Sequence, residues 1–264
     1  MNILNEILKA KRIEVVERKE LYPVKLLEKS IYFDTPAASL SEYLKRDGAS
    51  GIIAEFKRKS PSKGDINIYA DIEEVTRGYM QAGASALSVL TDKKFFGGDN
   101  KDLTKVRKFN FCPVLRKDFV IDEYQIFEAK SIGADVILLI AEVLKKNEIL
   151  NLASRAKSLG LEVLMEIHSK DQLSKINDYI NLIGINNRNL KTFDVSIENS
   201  KAISKYLPEG IIRISESGIS KPQDILQLMN YGFSGFLIGE RFMKAPHPAL
   251  ACKSFIDELN FLNK

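Results

Sequence analysis

Eight short apolar runs recur along the chain at a nearly constant interval, and this repeat limits the possible folds more than any other feature. They occupy residues 52–54, 86–90, 113–115, 136–140, 162–167, 182–185, 211–214 and 236–238. The first begins at residue 52 and the last at residue 236, so the seven steps average about 26 residues. That interval accommodates one strand and one helix, a βα unit. Glycine closes several of the intervening segments, in Ala82-Gly83-Ala84, Ile132-Gly133-Ala134, Leu159-Gly160-Leu161 and Tyr231-Gly232-Phe233. There it supplies the left-handed residue that ends a helix before the next strand. Within those segments, 71–81 places Ile72, Val75 and Tyr79 at helical spacing, and 124–131 does so with Ile126, Phe127 and Lys130. The repeat therefore predicts an α/β fold, a (β/α)8 TIM barrel. A doubly wound sheet is the competing architecture. Eight evenly spaced strands without a glycine-rich nucleotide loop fit a closed barrel better.

About fifty residues precede the first run. Residues 1–20 carry Ile3, Leu4, Ile7, Leu8, Val15 and Val16 as one apolar stripe, and 40–45 form a shorter one. A barrel needs neither, so the chain reads as one domain, 1–264, in which 1–50 form a helical N-terminal extension to a barrel at 51–264. The extension is either a lid or a plug for the barrel floor. A chain of 264 residues is long enough to bury such a core.

Composition excludes several classes. The net charge of +4 comes from lysines spread along the chain, so no nucleic-acid partner is expected. Cys112 and Cys252 have no CxxC spacing and read as buried thiols; His168 and His247 lie far apart. No metal and no cofactor are expected. Residues 1–11 are amphipathic and contain Glu6, unlike a signal peptide, and the longest apolar run, 136–141, is too short to span a membrane. The expectation is a cytoplasmic protein. No interface stripe marks the surface, which leaves monomer as the default.

In barrels of this kind the active site forms at the C-terminal ends of the strands. The first run continues as Glu55-Phe56-Lys57-Arg58-Lys59-Ser60-Pro61-Ser62, and strand alternation puts Glu55 and Lys57 on one face. The other ends add Lys117, Glu166, Asn186 to Arg188, and Glu216-Ser217-Gly218. Parity agrees within each strand: Leu115 shares a face with Lys117, Leu164 with Glu166, and Gly184 with Asn186. Two lysines, three carboxylates and an amide thus converge on one mouth. Any one of them alone reads as a salt-bridged structural residue, but convergence from five strands points to catalysis. The loops after the seventh and eighth strands, 217–220 and 237–241, are the expected phosphate site, with Gly218 and Gly239 admitting close approach to the backbone. Glu240 would offer its N–H with its side chain turned away. Lys59 and Ser60 would reach the same anion from across the mouth.

These residues match a known pattern. Glu55-Phe56-Lys57-Arg58-Lys59-Ser60-Pro61-Ser62 resembles the first-strand signature of the indole-3-glycerol phosphate synthases, ring-closing enzymes of tryptophan biosynthesis. The resemblance continues through Phe95-Phe96-Gly97-Gly98, Val114-Leu115-Arg116-Lys117-Asp118-Phe119, Leu164-Met165-Glu166, 184–190, Ser215-Glu216-Ser217-Gly218-Ile219 and Leu237-Ile238-Gly239-Glu240. It covers nearly the whole chain, extension included, and is to the monofunctional form rather than to a fusion.

The resemblance implies a phosphorylated small-molecule substrate, 1-(2-carboxyphenylamino)-1-deoxyribulose 5-phosphate, converted to indole-3-glycerol phosphate with loss of CO2 and water. It implies a catalytic set of Glu55, Lys57, Lys117, Glu166, Asn186 and Ser217. Lys117 would be the acid for ring closure, while Lys57 would hold the substrate carboxylate or exchange roles with Lys117. Glu166 would be the base or the acid of dehydration, and Glu55 would position Lys57 or the hydroxyl. Substrate-binding residues would be Ser60, Arg188, Glu216, Gly218, Gly239 and Glu240, with Phe96, Leu115, Phe119, Leu138 and Leu190 as an apolar slot for the aromatic ring. Two crowded lysines favour losing a proton, and the carboxylates oppose that.

Two other readings compete. Another phosphate-binding barrel, such as phosphoribosylanthranilate isomerase, would favour a cysteine and an aspartate as acid and base, and neither Cys112 nor Cys252 lies at a strand's C-terminal end. A non-catalytic anion-binding or RNA-associated scaffold would not need the inward acid–base ring.

Overall fold

The computed structural model describes residues 3–189, 192 and 194–263. Eight strands, β1 (Ile52–Phe56), β2 (Ala86–Leu90), β3 (Val114–Lys117), β4 (Val136–Ile140), β5 (Glu162–Ile167), β6 (Leu182–Asn186), β7 (Ile212–Glu216) and β8 (Gly235–Ile238), form a closed barrel. Every neighbouring pair is parallel and follows chain order, and β8 closes on β1 with Ile53 opposite Leu237. The fold is the (β/α)8 TIM barrel that the repeat predicts. β1, β2 and β4 are buried along their whole length, as expected when helices cover the outside and side chains fill the bore.

The strands begin close to the apolar runs but several end later, and most of the added residues are polar. Glu55, Lys117, Asn186 and Glu216 all belong to strands. Asp71 caps the helix Ile72–Gln81 by accepting from Glu74 N. Gly83, Gly133, Gly160 and Gly232 all have positive φ, as their helix-ending role requires.

The extension reaches both ends of the barrel. It contains α1 (Ile3–Leu21), α2 (Val24–Leu27) and α3 (Leu40–Lys45). α1 begins at the mouth, where Ile3, Leu4 and Ile7 line the cavity. It then runs beside the helix Tyr124–Ser131, whose Tyr124 hydroxyl donates to the carbonyls of Arg18 and Tyr22. Arg18 pairs there with the buried Glu128. α3 closes the opposite end. Ser39 caps it and donates to Glu162, the first residue of β5, while Ala38 N donates to Asp135 just before β4. Leu40 and Leu44 complete the inner core with Ile53, Val136 and Leu182.

Among the described residues, no helix is long and apolar enough to cross a membrane, and no group of three or more His, Cys, Asp or Glu is placed to hold a metal ion. Cys112 and Cys252 are both buried free thiols.

Candidate active site

A cavity of about 570 Å³ opens at the C-terminal ends of the strands, a size suited to a small metabolite. Its polar floor holds two ion-paired groups. In the first, Lys57 Nζ donates to Glu55 Oε1 at 2.7 Å, and Ser88 Oγ reaches Glu55 Oε2 at 3.4 Å. In the second, Lys117 Nζ donates to Glu216 Oε2 at 2.6 Å and to Glu166 Oε2 at 3.1 Å. Glu55, Glu166 and Glu216 are each at most 4% exposed. Carboxylates so deeply buried require fixed cationic partners, and the two lysines supply them.

The charges settle one another. Burial alone would drive a proton off Lys117, but Glu216, Glu166 and Glu55 outweigh it and hold the lysine above its ordinary pKa. The sequence leaves that contest open, and the carboxylates win it. Burial likewise pushes Glu166 up, yet Lys117 and then His168 overcome it and leave Glu166 below the usual carboxylate range. Glu216 goes the other way: burial, helped by the charge of Glu166, exceeds the pull of Lys117 and raises it. The ionised carboxylate thus sits beside a protonated lysine and a carboxyl group that keeps its proton more readily.

The apolar part of the cavity lies on the β2–β4 side. Phe96 and Phe119 pack with ring centroids 6.1 Å apart, and Leu138, Ile3, Leu4 and Ile7 complete the wall. Asp92 holds the Phe96 segment by capping the helix Lys93–Phe96, accepting from Phe95 N. Asp118 holds the Phe119 segment by accepting from Phe119 N. Buried Lys11 of α1 reaches both acids, at 3.1 Å from Asp92 and 2.9 Å from Asp118. One lysine of the extension therefore ties together the two loops that carry the aromatic wall.

At the opposite wall, β7 is followed by Ser217 with φ of 66°, the one non-glycine in the left-handed region among the described residues, and then by Gly218 at 78°. Asn187 Nδ2 donates to the Ser217 carbonyl and secures this turn. Ser217, Gly218, Ser220, Gly239 and Glu240 all line the cavity, as do Lys63, Arg241 and Lys244.

Of the residues singled out from the sequence, Glu55, Lys57, Ser60, Phe96, Lys117, Phe119, Leu138, Glu166, Asn186, Arg188, Glu216, Ser217, Gly218, Gly239 and Glu240 line this cavity together. Leu115 does not. It is 1% exposed within the inner core beneath the cavity, because its inward position lies two residues below Lys117. Leu190 lies outside the described residues. Lys59 also departs from expectation: it leans outward and donates to the Lys94 carbonyl at 2.8 Å. The Glu240 side chain is drawn between Lys244, at 2.6 Å, and Arg188, at 3.4 Å. Missed by sequence reasoning were the α1 residues, Lys63, Lys244 and His168, whose Nε2 stands 3.6 Å from Glu166 Oε1. The α1 stripe was visible as an apolar face, but nothing local to it says which surface it covers.

Comparison with known proteins agrees with this arrangement. A sequence model of the family described as "Indole-3-glycerol phosphate synthase" matches residues 4–255. A protein of that name from Bacteroides thetaiotaomicron is 49% identical over 255 residues, covering 97% of this chain and 98% of its own. Another, from Thermoanaerobacter pseudethanolicus, is 43% identical over 245 residues and covers 92% of each chain. Among solved structures, one titled "Native KDPGal structure" superposes with a TM-score of 0.57 over 80% of this chain and 93% of its own. At 13% identity it supports the fold alone. With a family match over nearly the full length and relatives near half identity, the chain belongs to the indole-3-glycerol phosphate synthase family.

Proposed function

We infer that the protein is an indole-3-glycerol phosphate synthase, a decarboxylating lyase of tryptophan biosynthesis. It closes the ring of 1-(2-carboxyphenylamino)-1-deoxyribulose 5-phosphate and releases CO2 and water. The observation that carries this reading is Lys117, half-buried at the cavity floor and paired with Glu216 and Glu166 so that it keeps its proton. Ring closure needs a positioned proton and a fixed positive charge where the substrate's ketone oxygen becomes an alkoxide.

In this reading the aromatic ring occupies the slot between Phe96, Phe119 and Leu138, with the phosphate near the 217–220 and 239–241 backbone. The support is that these two features bound opposite walls of one cavity. Lys57 meets the substrate carboxylate from its place on Glu55. The aryl carbon bearing that carboxylate attacks the ketone carbon while Lys117 gives its proton to the oxygen. CO2 then leaves, and its bonding electrons restore the aromatic ring. Dehydration follows: Glu166, ionised at rest, takes a proton from the ring while the new hydroxyl departs as water, protonated by Lys57, which still holds its proton and is released once the carboxylate has left as CO2. Asn186 and Arg188 orient the substrate's oxygens, and Glu216 and Ser217 close the polar wall.

The chain works as one unit in this proposal, with the 1–50 extension serving the 51–264 barrel. A cytoplasmic monomer accompanies it, since every group the reaction uses comes from one chain; sedimentation velocity tests the oligomeric state. The activity itself is tested by incubating the purified protein with the carboxyphenylamino substrate and following indole fluorescence and product mass. A folded protein that forms no indole-3-glycerol phosphate refutes the reading.

A further inference from the structure

Two carboxylates of the site occupy the space that a side chain would need at a nearby glycine, Gly184 within β6 and Gly239 just past β8, and one of these glycines leaves no room at all. A Cβ built at Gly184 of β6 would stand 2.1 Å from Glu216 Oε1 and 3.1 Å from its Cδ. The next nearest atom, Leu164 Cδ1, lies at 3.3 Å, a distance a leucine methyl can relieve by a small rotation. Gly184 is not among the glycines with positive φ, so its backbone suits any residue. The one group that demands glycine at this position is therefore the carboxyl of Glu216. A Cβ added at Gly239 would likewise stand 2.7 Å from Glu55 Oε1, but also only 2.9 Å from Glu55 Cβ, so it would press on the base of Glu55 as well.

Glu216 has no alternative place to go. It is 1% exposed, and its Oε2 is committed to Lys117 at 2.6 Å. Its Oε1, on the side facing Gly184, is buried with no hydrogen-bond partner. A buried oxygen left unpaired is costly, so the fold is tolerating this placement. We propose that Gly184 is a positioning residue for the reaction: its missing side chain is the seat that sets the Glu216 carboxyl against Lys117. An alanine at this position would force the carboxyl back by about 1.3 Å, the difference between the 2.1 Å contact and ordinary contact at 3.4 Å. Misplacement on the order of 1 Å beside a reacting group can lower turnover by about 10²-fold.

The proposal rests on the synthase reading, and the two fail separately. Indole formation by the unaltered protein tests the reading, whereas a double-mutant cycle tests Gly184. Gly184→Ala is expected to lower kcat by about 10²-fold with KM changed less than about threefold, while circular dichroism shows a folded protein. In a Glu216→Ala background, which removes the obstructed carboxyl, Gly184→Ala is expected to change kcat by less than about twofold. Glu216→Asp, whose carboxyl is one methylene shorter, should recover part of the activity lost by Gly184→Ala. Should Gly184→Ala alone not fold, Gly184→Ala/Glu216→Ala is still expected to fold as Glu216→Ala does. The proposal is overturned by an unchanged kcat in Gly184→Ala, by the same fold-loss in both backgrounds, or by a double variant that misfolds where Glu216→Ala folds.

Discussion

Lys117 and Glu216 meet across the bore of the barrel, Nζ to Oε2 at 2.6 Å, from β3 and β7, strands four positions apart in a ring of eight. Glu166 reaches the same lysine from β5, midway between them. Pairing across the diameter means that no single loop sets the geometry of the acid. It is fixed by the closed sheet, whose registers place Asn186 opposite Glu216 and Glu166 opposite Gly184. A rigid frame of this kind suits a reaction whose donors must meet charge as it develops.

Lys117→Ala removes the proposed proton donor and the cation that two buried carboxylates share. We expect kcat to fall by about 10²- to 10⁴-fold, the usual worth of a placed acid. Without the lysine, Glu166 would take up a proton and Glu216 would keep its own, which leaves the pair neutral and the variant foldable. Steady-state kinetics beside circular dichroism checks this, and near-normal turnover by a folded variant rules Lys117 out as the acid.

Glu166→Gln keeps the shape of the side chain but cannot accept a proton. Single-turnover kinetics should then show dehydration slowed by about 10²-fold or more, with ring closure affected far less. The ring-closed, decarboxylated intermediate that still carries its hydroxyl should build up by mass spectrometry. Equal slowing of both steps reassigns Glu166 to holding Lys117 in place.

The barrel was legible because its signal is repetitive: eight apolar runs, helix-ending glycines and inward parity all report the same architecture. Strand ends were legible for the same reason, since Glu55, Lys117, Glu166 and Glu216 interrupt runs that are otherwise apolar. The depth of a residue was harder to read. Leu115 and Lys117 share a face, but only the closed sheet shows that one lies in the packed bore and the other in the cavity. Lys59 illustrates a second limit, because a flexible lysine in a loop goes to whichever acceptor lies near, here the Lys94 carbonyl. Lys11 marks a third. A lysine in an amphipathic helix reads as solvated, and its buried acids, Asp92 and Asp118, lie some eighty and a hundred residues further along the chain.

The two ends of the extension should respond differently to mutation. Leu40 of α3 is fully buried in the floor, so Leu40→Ala should cost about 2–5 kcal/mol of stability through lost burial and a cavity. It lies at the far end of the bore from Lys117, so kcat should stay within about twofold. Denaturant unfolding and steady-state kinetics on the same preparation check both halves. A large kcat loss without destabilisation would mean that the floor governs the chemistry.

The raised pKa of Glu216 makes stability depend on pH in a direction opposite to most carboxylates. Burial and the neighbouring Glu166 push it up to about 8, against an unfolded value of about 4.3. A group whose native pKa is raised binds its proton more tightly in the folded state. Its stabilising contribution is complete below the unfolded pKa, declines relative to the unfolded chain's gain from ionisation as pH rises between the two values, and is gone above the native one. In that interval the folded state holds about one more proton, a slope of about 1.4 kcal/mol per pH unit for a single group. Glu166 and Glu216 titrate together, so the slope belongs to the pair. Glu216→Gln mimics the protonated form and cannot ionise. Denaturant unfolding from pH 5 to 9 should therefore show stability falling more gently with rising pH in the variant than in the parent, with the two curves parting further at each step towards the native pKa. Parallel curves across that range would mean that Glu216 is ionised throughout and that Lys117, not burial, governs its charge.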